Sequence, residues 1–367
     1  MVPEPPSPSD ARARDDLRGA AWLTTERVTL RRPRADDLDD YVRLHTDPRT
    51  YAHAPASMPT PARCRERLSD DLADWERHGL GYAAAVDRAS GTVIGWAGLR
   101  HKDSDPGALN LYYRLAFDRL GEGLGLEVAR AVVAWAAEHR PGEVVTALVD
   151  EANTPSRRTA ERSGLVGCGV RAHGDEAGAE PMLYFEAPRV STVAPAAVDG
   201  ALCDEVADLW VRVNDAGGSV GFLPGAPREA VAGALERHLD DVRAGLSLLC
   251  VLRHPASALS GIGLWEHDRG FPYEHVAWLK RLMVDPAAQG HNFGRILLAA
   301  MVGVARRELP HVEVLRLDYR DGLGLGGFYA GEGWAEVGRI PRGLRLTETD
   351  YRDDVAMARR VDGSPLR

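Results

Sequence analysis

Between Met283 and Leu298 an apolar stretch ends at Asp285-Pro286, and a short loop through Gln289, Gly290, His291 and Asn292 follows. Gly294 and a second apolar stretch with helical spacing come next. A strand that re-enters a helix through so short a loop leaves the first amides of that helix without intrahelical acceptors. Those N–H groups converge on one spot, with the positive end of the helix dipole behind them. The arrangement is an anion site suited to a pyrophosphate. Two other phosphate loops are not supported. No Gly-x-x-x-x-Gly-Lys-Ser/Thr occurs, and the glycines from Gly322 to Gly327 do not open a first strand–helix turn, so a dinucleotide fingerprint is not supported.

The chain of 367 residues is long enough for two domains or one large one. With 44% apolar and 27% charged residues it reads as a globular protein with ample core material. A net charge of −9 argues against a general nucleic-acid partner. Cys64, Cys168, Cys203 and Cys250 are scattered, with no Cys-x-x-Cys pair. They read as buried free thiols in a reducing cytoplasm, with neither a metal site nor a disulfide framework. No run of about 18 apolar residues is present, so no membrane span is expected. Residues 1–20 begin with a Pro- and Ser-rich stretch lacking an apolar core, and are expected to form a disordered tail.

The hydrophobic pattern repeats. In the first half, strands are predicted at Val28–Arg34, Tyr82–Val86, Val93–Leu99, Leu109–Phe117, Val144–Val149 and Met182–Glu186. Helices are predicted at Ala35–Asp47, Pro61–His78, Gly123–His139 and Ser156–Ser163. In the second half, helices at Asp199–Val213, Arg228–Val242, Arg295–Glu308 and Leu325–Gly331 alternate in the same order with strands. Those strands are at Leu246–Leu252, Leu259–Trp265, Val276–Val284, Val314–Tyr319 and Asp354–Arg359. The expected fold is α/β (α+β), with a domain over 21–189, a second over 190–367, and a linker near Pro188 to Pro195.

Gln289, Asn292 and Gly294 occupy the three key positions of a Gln/Arg-x-x-Gly-x-Gly/Ala loop. The stretch resembles the acyl-CoA loop of the GNAT (GCN5-related) N-acetyltransferases. Asn292 replaces the first Gly of the pattern, and Asn tolerates left-handed backbone better than most residues. Phe328, Tyr329 and Gly333 resemble the Phe-Tyr-x-x-x-Gly segment that follows the family's fifth strand. In the first half, Phe117 to Gly125, with Gly121, Gly123 and Gly125, resembles the loop of the ribosomal-protein-acetyltransferase branch. Asn153 and Ser156 resemble that branch's later Asn-x-x-Ser segment. The resemblance runs from Trp22 to Arg359 and implies two tandem GNAT-like domains. Each would have a mixed, mostly antiparallel sheet flanked by helices.

The resemblance implies acetyl-CoA as acyl donor and no metal. Its pyrophosphate would lie on the amides of Gln289, Gly290, His291, Asn292, Phe293, Gly294 and Arg295. Leu282, Met283 and Val284 would offer backbone groups to the pantetheine arm and the oxyanion. Tyr329, a phenol with an ordinary pKa near 10, would protonate the leaving thiolate. The usual strand carboxylate is missing, since Trp278 and Lys280 stand there, so Glu266, His267 and Glu274 are the candidate bases. Glu122 in the first loop would repel a diphosphate, which makes the second half the expected catalytic one. A small-molecule primary amine is the expected acceptor. Gly217 to Phe222 and Arg339 to Gly343 are candidate walls of its cleft. Peptide or protein N-terminal acetylation, or a non-catalytic CoA-binding regulator or scaffold, are the rival readings. The protein would act as a monomer or homodimer.

Overall fold

The computed structural model describes residues 21–52, 55–102, 105–172, 181–218, 220–254, 259–267 and 270–366. The expected tail over residues 1–20 lies outside them. The chain divides into two units, the first comprising Met1–Ala136 and Gly142–Ala187, the second Ala137–Pro141 and Pro188–Arg367.

In the first unit, β1 (Ala21–Thr24) and β2 (Val28–Arg31) lead to α1 (Leu38–His45) and α2 (Pro61–His78). The strands β3 (Tyr82–Asp87), β4 (Val93–Lys102) and β5 (Asp105–Leu115) follow, then α3 (Leu124–His139), β6 (Val144–Val149), α4 (Thr154–Arg162), β7 (Val166–Ala172) and β8 (Pro181–Glu186). The sheet order is β1-β2-β3-β4-β5-β6-β8-β7, antiparallel except for β5 and β6. Local chemistry sets the helix ends. Thr60 caps α2 by accepting from the Arg63 amide, Pro61 opens it, and Gly79 ends it at φ 61°. The apolar faces of α1 and α2 bury Tyr41, Leu44, Cys64 and Leu68 against Ala84 and Trp96 of the sheet.

The second unit opens with β9 (Arg189–Thr192), α5 (Gly200–Asp215) and α6 (Arg228–Arg243). Next come β10 (Ser247–Arg253), β11 (Leu259–Glu266), β12 (Val276–Val284), α7 (Phe293–Glu308), β13 (Val314–Arg320), α8 (Leu325–Ala330), β14 (Ala335–Arg345) and β15 (Tyr351–Arg360). The order is β14-β15-β13-β12-β11-β10-β9, with β12 and β13 the parallel pair. Apart from β1, the two sheets share strand order and the position of the parallel pair. On one face Leu209, Trp210, Leu235 and Leu239 of α5 and α6 pack on Ile262, Leu264 and Met283. Against the other face, the Trp265 indole N–H donates to the Met301 carbonyl of α7 at 2.9 Å.

Gly263 keeps α7 close to the sheet, because a Cβ there would stand 2.2 Å from Met301 Sδ. Gly263→Ala is therefore expected to overpack this layer and cost about 1–3 kcal/mol. Thermal unfolding would show a clear fall in Tm, and an unchanged Tm would contradict this packing.

Several sequence expectations are corrected. The segment expected as a linker contains β9, which pairs with β10 from Arg189↔Arg253 to Thr192↔Cys250. A four-residue strand between Pro188 and Pro195 offers too few side chains for its alternation to register. Arg339 to Gly343, expected as a loop, lies within β14, an edge strand almost wholly exposed and so without an apolar face. The edge strands β1 and β7 escaped for similar reasons. Cys168 on β7 is exposed and Cys203 half-buried, whereas Cys64 and Cys250 are buried as expected. No described helix is long and apolar enough to cross a membrane.

Candidate active site

The strand-to-helix loops of the two units have the same backbone. In the second, a 3-10 turn at Pro286–Ala288 precedes Gly290 at φ 81° and Asn292 at φ 68°, and α7 begins at Phe293. In the first, a 3-10 turn at Phe117–Arg119 precedes Gly121 at φ 83° and Gly123 at φ 80°, and α3 begins at Leu124. Asn292 thus takes the left-handed place that Gly123 takes in the first loop. Gly125 and Gly294, the second residue of each helix, are equivalent.

The first i→i−4 bond of α7 runs from the Ile296 amide to the Asn292 carbonyl at 3.1 Å. The amides of Phe293, Gly294 and Arg295 therefore have no acceptor within the helix and sit at its positive end. The Glu127 amide to Gly123 carbonyl bond, 3.0 Å, leaves the same arrangement in α3. Two amides expected to hold a pyrophosphate are already engaged. That of Gln289 donates to the Pro286 carbonyl at 3.2 Å and that of His291 to the Ala288 carbonyl at 3.4 Å, because the loop closes as tight turns. The side chains also differ from expectation. Arg295 turns to Glu332 at 3.0 Å, away from the role of a free cation. Glu122 is clamped by Arg119 at 2.9 and 3.0 Å, which lowers its carboxyl pKa and offsets much of the repulsion expected of it.

Beside the second loop, β12 pairs with β13 only from Val276↔Val314 to Trp278↔Arg316. Past Trp278 the strands part, so Leu282, Met283 and Val284 have no ladder partner on that side. On its other side, β12 carries a bulge: Leu264 pairs with Lys280 but Ile262 with Met283. One extra residue is accommodated with Arg281 at φ 53°, in the left-handed region. The Arg281 guanidinium lies 4.9 Å over the Trp210 ring and donates to the Val220 carbonyl at 3.0 Å and to His238 Nε2 at 3.2 Å. In the first unit, the pairing of β4 with β5 from Gly95↔Leu115 to His101↔Leu109 has no such interruption.

Tyr329 sits on the short helix α8, whose neighbouring residue Phe328 would lie 3.6 Å from a Cβ on Gly294. Its ring packs 5.7 Å from Tyr319, 5.0 Å from Phe328 and 6.3 Å from Trp334. Burial raises its pKa well above that of an ordinary phenol. The expected proton donor is therefore a weaker acid than the sequence implied.

The candidate bases lie at the end of β11 and on the loop before β12. Glu266 ends β11, half-buried and within electrostatic reach of His238 and Arg281. His267 follows it, with its ring 6.2 Å from His311. Glu274 is exposed on the loop before β12. A cleft of about 470 Å³ opens in this unit between Gly221–Leu223, the end of β13 and the β14–β15 hairpin. The expected wall at Gly217 to Phe222 contributes through Gly221 and Phe222, while Ser219 is outside the described residues. The other wall comes from Leu344, Arg345 and Leu346, just beyond the segment expected.

The first unit holds two features that the sequence reading passed over. Tyr113 of β5 lies 3.7 Å from where a Gly125 Cβ would be and donates to the Ser156 carbonyl at 3.2 Å, which places a phenol beside the α3 N-terminus. Ser156 in turn gives its amide to Asn153 Oδ1 at 3.1 Å, so Asn153 caps α4. Deeper in, Asp71 and Arg100 stand 3.8 Å apart, and His45 Nε2 and Arg114 Nε each lie 3.1 Å from the Tyr112 hydroxyl. Burial raises the Asp71 carboxyl to about 7 and lowers His45 to about 4.

Residues 27–166 match the family model for the acetyltransferase (GNAT) domain. The first unit carries a GNAT acetyltransferase domain. Acetyl transfer from acetyl-CoA is the activity that this family assigns to the domain. Solved structures similar to the chain include three acetyltransferases. That from Agrobacterium tumefaciens is 27% identical, over 45% of this chain and 92% of its own, at a TM-score of 0.37. One of the GnaT family from Bordetella pertussis is 25% identical, over 45% and 98%, at 0.38. A GNAT-family protein from Bacillus anthracis is 16% identical, over 45% and 96%, at 0.38.

Proposed function

We propose that the protein is a tandem GNAT N-acyltransferase whose second unit transfers acetyl from acetyl-CoA to a primary amine of a small molecule by direct attack. The observation that carries this is the coincidence, in one unit, of the parted β12–β13 pair, the bulge at Arg281 and the three unengaged amides of α7. The diphosphate would rest on Phe293, Gly294 and Arg295 amides, with Gly290 and Asn292 shaping the approach. The pantetheine arm would enter the gap along Leu282 to Val284. A backbone N–H at the bulge would face the developing oxyanion. The shared strand order and shared loop conformation support the tandem reading.

A second reading has its own support. The family model falls on the first unit, where Tyr113 stands beside the α3 amides and a buried acid adjoins Arg100. On that reading the first unit is an acyltransferase too, with a peptide or protein N-terminus among its acceptors. Coenzyme A release, measured over a panel of primary amines and N-terminal peptides, decides between turnover and mere binding. Acetyl-CoA binding with no coenzyme A release for any acceptor would leave a CoA-binding module without catalysis. Gly125→Asp and Gly294→Asp, which damage equivalent positions, assign the activity to a unit. Loss through Gly125→Asp alone would move it to the first.

A further inference from the structure

The cleft of the second unit is lined by charges of both signs. Asp318 and Arg320 lie on β13, Asp354 on β15 and Arg345 at the end of β14, and Asp354 faces Arg320 across the strand pair. Little inside the protein satisfies them. Asp318 is 3.9 Å from Lys280, and Arg320 makes only a 3.4 Å contact with the Gly217 carbonyl. Neither the Asp354 nor the Arg345 side chain has a hydrogen bond or ion pair among the described residues. Burial and the neighbouring Asp318 raise the Asp354 carboxyl, and Lys280 offsets this in part. The cleft is also lined by the apolar side chains of Phe222, Leu223, Leu344 and Leu346.

We propose that this cleft takes an acceptor whose ammonium and carboxylate stand side by side on one carbon, matching the facing Asp354 and Arg320, with an apolar body beyond them, that is, an apolar α-amino acid. The inference rests on the acyltransferase reading of the second unit and names its substrate class. The two carboxylates hold the amine at the mouth of the β12–β13 gap. The two guanidiniums take the carboxylate, a planar group that a guanidinium binds with paired hydrogen bonds. A polyamine would bring a second cation against Arg320 and Arg345. A simple amine would leave both guanidiniums without a counter-charge. The cleft volume falls in the usual range of small-ligand sites, roughly 300–1,000 Å³.

The test uses the full chain with acetyl-CoA and three matched acceptors: phenylalanine, its methyl ester and phenethylamine. The expected result is a kcat/KM for phenylalanine about tenfold or more above both others, the worth of one charge-assisted pair. Arg320→Gln and Arg345→Gln should each erase most of that preference while acetyl-CoA affinity, measured by calorimetry, stays unchanged. Normal acetyl-CoA binding with equal or better use of phenethylamine or the ester overturns the acceptor assignment alone. Failure of acetyl-CoA to bind in a way that Gly294→Asp alters overturns the acyltransferase reading of this unit, and this inference with it.

Discussion

Tyr329→Phe is expected to lower kcat about 10²-fold, with acetyl-CoA affinity changed by no more than about twofold. The phenol is buried and its pKa lies well above 10, while an ordinary thiol titrates near 8.5. Full proton transfer to a departing thiolate is thus uphill. What the hydroxyl supplies is a hydrogen bond that strengthens as charge builds on sulfur, a transition-state interaction with little ground-state counterpart. The effect sits at the lower end of the range for general acids for that reason. Removing one oxygen leaves the ring contacts to Tyr319, Phe328 and Trp334 intact, so folding is preserved. Steady-state kinetics with saturating donor measures it. Wild-type turnover in this variant would make Tyr329 a packing residue.

Gly294→Asp is expected to weaken acetyl-CoA binding by about 10- to 100-fold. Two unit charges 4 Å apart repel by about 4 kcal/mol at an effective dielectric of 20. Partial exposure at the loop discounts this to about 1–3 kcal/mol, and 1.4 kcal/mol is tenfold in affinity. The fold should not suffer. The added Cβ would make only ordinary contact with the Phe328 ring, 3.6 Å away, and a carboxylate in the first turn stabilises a helix by about 0.3–1 kcal/mol. Calorimetry with a parallel thermal melt separates the effects. Unchanged affinity in a protein melting at or above wild type would remove the diphosphate from α7.

The strand-to-helix loops were legible in the sequence because Gly and Asn have few reasons to recur at such spacing other than left-handed backbone. Asn292 at φ 68° illustrates this. The central strands and the helices that pack on them were legible because burial writes a period into the side chains. β14 was not, since an exposed edge strand buries no face. The bulge was not, because Arg281 adopts φ 53° without being a Gly, held there by Trp210, Val220 and His238, which are distant in sequence. The engagement of Arg295 by Glu332 and the electrostatic proximity of Asp318 and Asp354 likewise depend on strand and helix pairings that no local pattern encodes.

The bulge also changes how the two units can be compared. Counting back from the loops, Leu115 of β5 corresponds to Val284 of β12. Counting from the parallel pairs, Ala108 corresponds to Val276. The second strand spends one residue more over that interval, and a strand shifts its side chains to the opposite face for each residue gained. Correspondence between the units therefore changes phase within one strand. A chimera or a transplanted side chain keeps its facing only if the splice falls on the loop side of Arg281. Upstream of it, the same alignment aims the graft at the wrong helix layer.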